Sequence, residues 1–168
     1  FENNNRILFS MIKNFKLKKE LFSKLKKNNL CNFKKKIDYI NLNLKEYNLI
    51  FNCDSRNQIT KKFFYKKLDK NYDSFAHTTI INHKKIKNNI ASQIFTQKGP
   101  LAFLPLSETE TSIVYSVKGE KNIDLNELIE KYNFKYQIIH FGKSTSIGLK
   151  STNLRSYYYK NILAFGDL

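Results

Sequence analysis

The sequence predicts an α+β fold that is built around a mostly antiparallel sheet. Four segments rich in Ile, Val, Thr, Phe and Tyr follow one another within residues 74–117, and short polar loops join them. An amphipathic helical pattern precedes them over residues 15–30, and a last apolar segment at 162–165 runs into Gly166-Asp167. Because successive strands joined by short loops can pair directly, the four central segments indicate an antiparallel sheet.

The first helix is predicted over residues 15–30. It places apolar side chains at helical spacing with lysines between them, namely Leu17, Leu21, Phe22 and Leu25. We expect this apolar stripe to pack against its own domain. Contact with a membrane surface or a partner protein is the alternative, because basic amphipathic helices also bind such surfaces.

Two strands and a short helix are predicted next, at residues 36–43, 47–53 and 58–64. The second strand ends in a turn-like segment that contains Asp54. An apolar strand that runs into an Asp-centred loop can present a polar group at the carboxyl edge of a sheet. Local signals alone favour a plain turn residue or an N-cap of the short helix for Asp54.

The four central strands are predicted at residues 74–82, 91–96, 101–106 and 111–117. The chain's only two prolines, Pro100 and Pro105, bracket the apolar run in the third strand. Proline lacks an N–H and biases the preceding residue toward extended conformations, so this run favours a strand over a helix. Successive residues of a strand lie on opposite faces, so Leu101 and Phe103 share one face and Ala102 and Leu104 share the other. Since both faces are apolar, we expect both to be covered.

A further helix and three more strands complete the prediction. Asp124 has the position of an N-cap and Glu127 occupies the third helical position. The strands are predicted at residues 136–141, 146–150 and 162–165.

Charge and cysteine content narrow the classes of function. The 168 residues carry a net charge of +16, which predicts attraction to anionic surfaces. Arginine, the usual reader of phosphates and bases, occurs only at Arg6, Arg56 and Arg155, which argues against a nucleic-acid role. Cys31 and Cys53 are too few for a disulfide framework, and they favour a reducing compartment.

Metal sites and membrane spans are not predicted. The three histidines show no metal-ligand spacing and are expected as surface or half-buried polar residues; they are His77, His83 and His140. No apolar run approaches the length of a membrane-spanning helix, and no secretory signal is visible. We therefore predict a cytoplasmic location, with peripheral attachment to the inner membrane surface as the alternative.

Three regions carry a resemblance to a known family. Residues 91–96 and 99–106 are similar to an Ala-x-Gln-x-Phe pattern followed by Gly-Pro-Leu-Ala and Leu-Pro-Leu. Residues 162–167 are similar to a strand that ends in a Gly-Asp pair, and residues 49–57 lie where the family has an Asp-Gly motif. With these motifs the chain resembles the flavin-dependent aromatic hydroxylases of ubiquinone biosynthesis, which belong to the para-hydroxybenzoate hydroxylase fold group.

The resemblance implies an FAD-dependent monooxygenase that uses O₂ and NAD(P)H to hydroxylate an aromatic, prenylated quinone precursor. It implies a partial FAD-binding domain over residues 1–70, a substrate-binding sheet over 71–155 and a return strand of the FAD-binding domain over 156–168. Association with a quinone-biosynthesis complex would be in keeping with that role. A basic nucleic-acid-binding module and a non-catalytic β-rich interaction domain stay open as alternatives.

The resemblance also implies site residues. The cofactor contacts would be Gly166, Asp167 and Asp54, with the Asp167 carboxylate accepting a hydrogen bond from the ribityl hydroxyls of FAD. The wall of the substrate pocket would consist of Leu101, Ala102, Phe103, Leu104 and Pro105. No residue is assigned as a catalytic acid, base or nucleophile.

The sequence departs from the family pattern at three positions near Asp54. Ser55 stands where the family has glycine, Asn52 where glycine is usual, and Lys61 where arginine is usual. The chain begins at Phe1 and stops directly after Gly-Asp-Leu, so we expect both ends to be cut from a longer polypeptide.

Overall fold

The computed structural model describes residues 9–34 and 43–166. The chain divides into two compact units, one over residues 1–31 and 73–149 and the other over 32–72 and 150–168. The predicted strand at 36–43 lies almost entirely outside the described residues. Residues 9–31 belong to the same unit as the central strands, whereas the sequence analysis placed them in the FAD-binding domain predicted over residues 1–70. The functional assignment of the predicted domains stays a prediction.

A sheet of six strands lies mostly in the first unit, while the first residues of its first strand and the last residues of its last strand belong to the second unit. The strands are β2 (Lys67–His83), β3 (Ser92–Phe95), β4 (Pro100–Pro105), β5 (Glu110–Lys118), β6 (Ile138–Phe141) and β7 (Thr145–Leu154). Their order is β3-β4-β5-β2-β6, with β7 pairing with β2, and the pairs β3–β4, β4–β5, β5–β2 and β2–β6 are antiparallel. The α+β class with a mostly antiparallel sheet is therefore confirmed.

The core of this unit lies between the sheet and helix α3 (Leu125–Tyr132). Burial alternates along β4 and β5, as a sheet with one covered face requires. Each large apolar side chain in such a core contributes roughly 1.5–3 kcal/mol by leaving water. The buried cluster consists of Ile81, Leu101, Phe103, Ile113, Tyr115, Val117, Leu125, Ile129 and Tyr136.

Helix α3 begins as the sequence predicts. The Asp124 carboxylate accepts hydrogen bonds from the backbone N–H groups of Asn126 and Glu127, at 3.0 and 3.1 Å. Glu127 adds a negative charge to the first turn, which favours the positive end of the helix dipole. The cap therefore holds the helix that covers the core face of the sheet.

Two histidines are buried in the first unit, so the prediction of surface or half-buried positions is wrong for both. His77 is 4% exposed and its Nε2–H donates to the Glu120 carbonyl oxygen at 2.9 Å. His83 is 1% exposed, and its Nδ1–H donates to the Lys84 carbonyl oxygen at 2.9 Å. Both side chains lie on the core face of β2, because alternate residues of a strand share a face.

A buried polar network surrounds His83. The Thr111 hydroxyl donates to His83 Nε2 at 3.0 Å and accepts from Asn88 Nδ2 at 2.9 Å. The Tyr136 hydroxyl donates to Asn88 Oδ1 at 3.2 Å. Both ring nitrogens of His83 therefore have hydrogen-bond partners.

Thr111→Val is expected to destabilise the protein by about 1–3 kcal/mol, the usual cost of leaving buried polar groups without partners. Valine has nearly the same shape but removes the oxygen that serves both His83 and Asn88. Urea denaturation should show a lower midpoint with an unchanged slope. Thr109→Val, at an exposed position nearby, is the matched control and should change stability by no more than about 0.5 kcal/mol. Equal midpoints for the two variants would contradict the network.

Helix α1 (Asn14–Lys26) also belongs to the first unit, and none of its residues is buried. The stripe residues Leu17, Leu21, Phe22 and Leu25 are 41–52% exposed. The expectation that this stripe packs against its own domain is therefore wrong for the described residues. No helix among them is long and apolar enough to cross a membrane.

The described residues of the second unit form three strands and a short α-helix, namely β1 (Ile50–Asn52), α2 (Gln58–Phe63), β8 (Tyr158–Tyr159) and β9 (Ile162–Ala164). The strand order is β1-β9-β8, with β1 and β9 parallel and β8 and β9 antiparallel. The buried core of this unit consists of Ile59, Phe64, Leu154, Ile162 and Ala164.

Candidate functional site

The parallel pair β1–β9 brings two predicted site residues to one edge of a sheet. Asn52 at the end of β1 is in register with Ala164 at the end of β9. The Phe165 N–H then donates to the Asn52 carbonyl oxygen at 3.0 Å, which extends the pairing by one step. Asp54 and Gly166 each lie two residues beyond the end of their strand. The carboxyl ends of parallel strands are the edge at which α/β sheets bind ligands, and we call this region the carboxyl edge.

The loop after β1 is an Asx turn that Asp54 closes. Asp54 Oδ1 accepts a hydrogen bond from the Arg56 backbone N–H at 2.8 Å, and the Asp54 side chain is exposed. The N-cap of α2 is Asn57, whose Oδ1 accepts from the Thr60 backbone N–H at 2.9 Å. Of the two local readings, Asp54 is thus the turn residue and Asn57 is the cap.

Asn52 connects the end of β1 to the start of α2. Its side chain is 3% exposed; its Nδ2 donates to Thr60 Oγ1 at 2.7 Å and its Oδ1 accepts from Asn57 Nδ2 at 2.5 Å. Thr60 Oγ1 in turn donates to the Asp54 carbonyl oxygen at 2.6 Å. The departure from glycine at position 52 therefore supplies an amide that holds the Asp54 loop in place.

The absence of glycine at position 55 causes no backbone strain. Within the described residues, the non-glycine positions with positive φ are Asp73 and Lys160, and neither is in this loop. Gly166 does need its residue type, because its φ is +84° and L side chains rarely adopt that conformation. A Cβ atom at Gly166 would meet nothing within 4 Å, so the space beside it is open. Asp167 lies outside the described residues, and its cofactor contact stays a prediction.

The predicted pocket wall divides between two faces of β4. Leu101 and Phe103 are fully buried in the core under α3, where Phe103 stacks on Tyr136 with ring centroids 5.8 Å apart. Ala102 and Leu104 are half-buried on the opposite face, and Pro105 is half-buried at the end of the strand. The expectation that both faces are covered therefore holds fully only for the core face.

The face of the sheet away from α3, which we call the open face, carries uncharged side chains at its centre. In register, Ala102 pairs with Gln93 on one side and Val114 on the other, and Val114 pairs with Thr78. The central side chains of this face are not ionisable and most are half-buried, whereas Glu110 and Lys118 lie on the same face at the two ends of β5. A surface of this kind suits an uncharged, largely apolar ligand. The open face consists of Thr78, Ile80, Gln93, Ala102, Leu104, Ser112, Val114 and Ser116.

A separate cavity of about 420 Å³ lies beside α3, and the sequence analysis did not predict it. Tyr115 and Thr96 line it together with a Lys98–Glu120 ion pair, in which Nζ lies 2.7 Å from Oε1. The neighbouring Glu120 carboxylate, through its hydrogen bond and charge, raises the pKa of Lys98 above its ordinary value. Asp124, Glu127 and Lys131 also line this cavity, and we assign no ligand to it.

Comparisons with known proteins agree with the resemblance found in the sequence. No protein-family model matches the chain. The chain is 37% identical over 62 residues to the mitochondrial ubiquinone biosynthesis monooxygenase COQ6 of Danio rerio, a match that covers 36% of this chain and 13% of that protein.

Two solved structures are similar to part of this chain at low sequence identity. The flavin-dependent halogenase CmlS superposes with a TM-score of 0.52 and 12% identity, over 71% of this chain and 25% of that chain. A flavin-dependent halogenase from Xanthomonas campestris gives a TM-score of 0.49 and 10% identity, over 71% of this chain and 25% of that chain.

The chain therefore shares the fold of part of CmlS. In sequence, 62 residues of the chain are similar to a ubiquinone biosynthesis monooxygenase, in agreement with the resemblance stated for its motifs. It spans only 13% of the length of the curated relative that it matches.

Proposed function

We propose that this chain is part of an FAD-dependent monooxygenase that hydroxylates an aromatic ring in quinone biosynthesis, with NAD(P)H as the electron donor. One observation carries the proposal: the parallel register of β1 and β9 brings Asp54 and Gly166 to the same carboxyl edge. Association with a quinone-biosynthesis complex and a peripheral position at a membrane stay predictions.

The residues at the carboxyl edge fit one side of a dinucleotide cofactor. Asp54 is exposed, and its Oδ1 accepts a hydrogen bond from Arg56, which orients the carboxylate in the turn. Gly166 adopts a conformation that suits glycine and leaves open space for close approach of a ligand. We assign Asp167, the next residue, as the acceptor of a hydrogen bond from a ribityl hydroxyl. Bound FAD would supply the activation of O₂ and the transfer of oxygen to the ring.

The open face would orient the ring substrate and exclude water from it. Ala102, Leu104 and Val114 offer an apolar surface, and Ser112 adds a hydroxyl that can donate to a ring oxygen. Leu101 and Phe103 would not contact the substrate; their packing in the core would hold β4 in position. An aromatic ring with a prenyl tail matches the uncharged centre of this wall.

Replacement of Asp167 by alanine tests the cofactor assignment in the full-length protein. A hydrogen bond to a charged group contributes about 1.5–3 kcal/mol, so Asp167→Ala should weaken FAD binding by roughly 10- to 100-fold. Asp54→Asn should have a smaller effect in the same direction. Flavin content per polypeptide, measured from the visible absorbance of the purified protein, gives the result.

The control variant is Glu130→Gln, which removes an exposed carboxylate from α3. It should keep full flavin content, and circular dichroism should show that all three variants are folded. Wild-type flavin content in both aspartate variants would contradict the proposal.

A further inference from the structure

The Ala-x-Gln-x-Phe motif sends its polar member to the open face. Gln93 and Phe95 alternate with Ser92 and Ile94 along β3, so the two pairs of side chains lie on opposite sides of the strand. Ile94 packs against the buried core, and Ser92 is in register with a core residue of β4. The spacing of the motif therefore places Gln93 and Phe95 on the side that is proposed to meet the substrate.

The side chain of Gln93 has no partner among the described residues. It is exposed, and no hydrogen bond joins its amide to another residue of the described chain. In the same row of the sheet, the Thr78 hydroxyl is already bonded to Thr145 Oγ1, at 2.8 Å. The Gln93 amide offers two N–H donors and one carbonyl acceptor, which leaves it able to bind a ligand through either kind of group.

The position of Gln93 gives this free amide a specific place. Gln93 is in register with Ala102 on β4, and Ala102 is in register with Val114 on β5. Ala102 has the smallest side chain of the three, so the row is lowest at its middle. Neighbouring strands lie about 4.8 Å apart, which puts β3 and β5 about 10 Å from each other. A flat ring over Ala102 would thus have the Gln93 amide at its edge.

The charged residues of β5 on this face are distant from that row. Glu110 and Lys118 each lie four residues from Val114, a separation of about 13 Å along the strand. Glu110 is also paired with Lys13, whose Nζ lies 2.8 Å from Oε1. Recognition by a neutral amide suits an uncharged oxygen, such as a hydroxyl, better than a carboxylate, which needs a charged partner when water is excluded.

We propose that Gln93 is a specificity-determining residue, whose side-chain amide hydrogen-bonds an uncharged oxygen substituent of the aromatic substrate. Phe95 is 80% exposed and would pack against the apolar part of the same ligand. The inference rests on the proposed function, because it requires that the open face binds the ring. Gln93 would then select among rings, whereas Phe95 would contribute affinity alone.

Two probes that differ by one oxygen test the proposal in the full-length protein with FAD bound. They are a phenol that carries a geranyl tail and the same compound without its hydroxyl group. Isothermal titration calorimetry gives the dissociation constant of each. The wild type should bind the phenol at least about fivefold more tightly, because the other probe leaves the amide without a partner.

Gln93→Leu keeps the approximate size of the side chain and removes its hydrogen-bonding groups. It should weaken binding of the phenol about 3- to 10-fold and reduce the preference for the phenol to about twofold or less. Phe95→Ala should weaken binding of both probes by a similar factor, so that the preference stays that of the wild type. Circular dichroism should show both variants folded, since both side chains are exposed.

Gln137→Leu is the matched control, because it removes an exposed glutamine just before β6. It should bind both probes as the wild type does.

Loss of the preference in Gln93→Leu alone supports the inference. Tight binding of the phenol with an unchanged preference in Gln93→Leu would overturn it and leave the proposed function standing. Equal binding of the two probes by the wild type, or loss of the preference in Phe95→Ala as well, would also overturn it. If the flavin-loaded wild type binds neither probe, the open face is not the substrate wall, and the role of Gln93 fails together with that assignment.

Discussion

Phe103→Asp is expected to unfold the first unit. The Phe103 side chain is fully buried and packs between the rings of Tyr136 and Phe134. Loss of the aromatic side chain alone costs about 3–5 kcal/mol, and burial of an unpaired carboxylate adds several more. That sum is comparable with the entire stability of a domain, which is roughly 5–15 kcal/mol. Loss of the cooperative thermal transition in circular dichroism would report the effect.

Leu104→Asp is the matched control, one residue further along the same strand. Because Leu104 is half-buried on the open face, its carboxylate can stay hydrated and the fold should persist. Turnover in the full-length enzyme should nevertheless fall, since a charge would stand on the proposed substrate wall. A folded, fully active Phe103→Asp protein would contradict the burial of Phe103. Equal unfolding by both variants would contradict the division between the two faces.

Local signals were sufficient for the central sheet. β3, β4 and β5 each begin and end within one residue of the predicted bounds, because β-branched and aromatic residues alternate there and turns separate them. β2 begins earlier than predicted, at Lys67. Its first residues are polar and exposed, so strand propensity did not identify them, and they join the strand because they pair with a neighbouring strand.

The buried histidines were within reach of the same pattern. His77 and His83 have the same parity as Ile81 along β2, and alternate residues share a face. Residue type suggested polar surface positions, yet periodicity placed both on the core side. Position in the strand therefore decided burial. Hydrogen bonds from the ring N–H groups to carbonyl oxygens offset the free-energy cost of burying the two histidines.

The carboxyl edge could be predicted only in part. The motifs singled out Asp54 and Gly166, but their juxtaposition depends on the pairing of β1 with β9, which are distant in sequence. The Asn52 network was missed as well, because it joins a strand end to a helix cap through side chains. Within this network, only the N-cap residue Asn57 is recognisable from local sequence, because asparagine is a preferred N-cap residue before a helix.

Gly99→Ala is expected to destabilise the first unit by about 3 kcal/mol or more, because overpacking against the backbone forces strands apart. A Cβ atom at Gly99 would overlap the carbonyl oxygen of Ser116 on β5. The backbone has little freedom to move away, since the Gly99 carbonyl oxygen accepts hydrogen bonds from both Thr96 N–H and Thr96 Oγ1, at 3.0 and 2.7 Å. Urea denaturation measures the loss.

Gly119→Ala separates this packing effect from backbone strain. Gly119 has a φ of +73° but open space around its Cβ position, so alanine there should cost only about 1–2 kcal/mol. Equal losses at both positions would contradict the overlap with Ser116. If Gly99→Ala lowers stability while each folded molecule keeps its flavin, the glycine serves strand packing. The Gly-Pro-Leu-Ala motif would then indicate the fold of the sheet and not a cofactor contact. The evidence for cofactor binding would rest on the carboxyl edge.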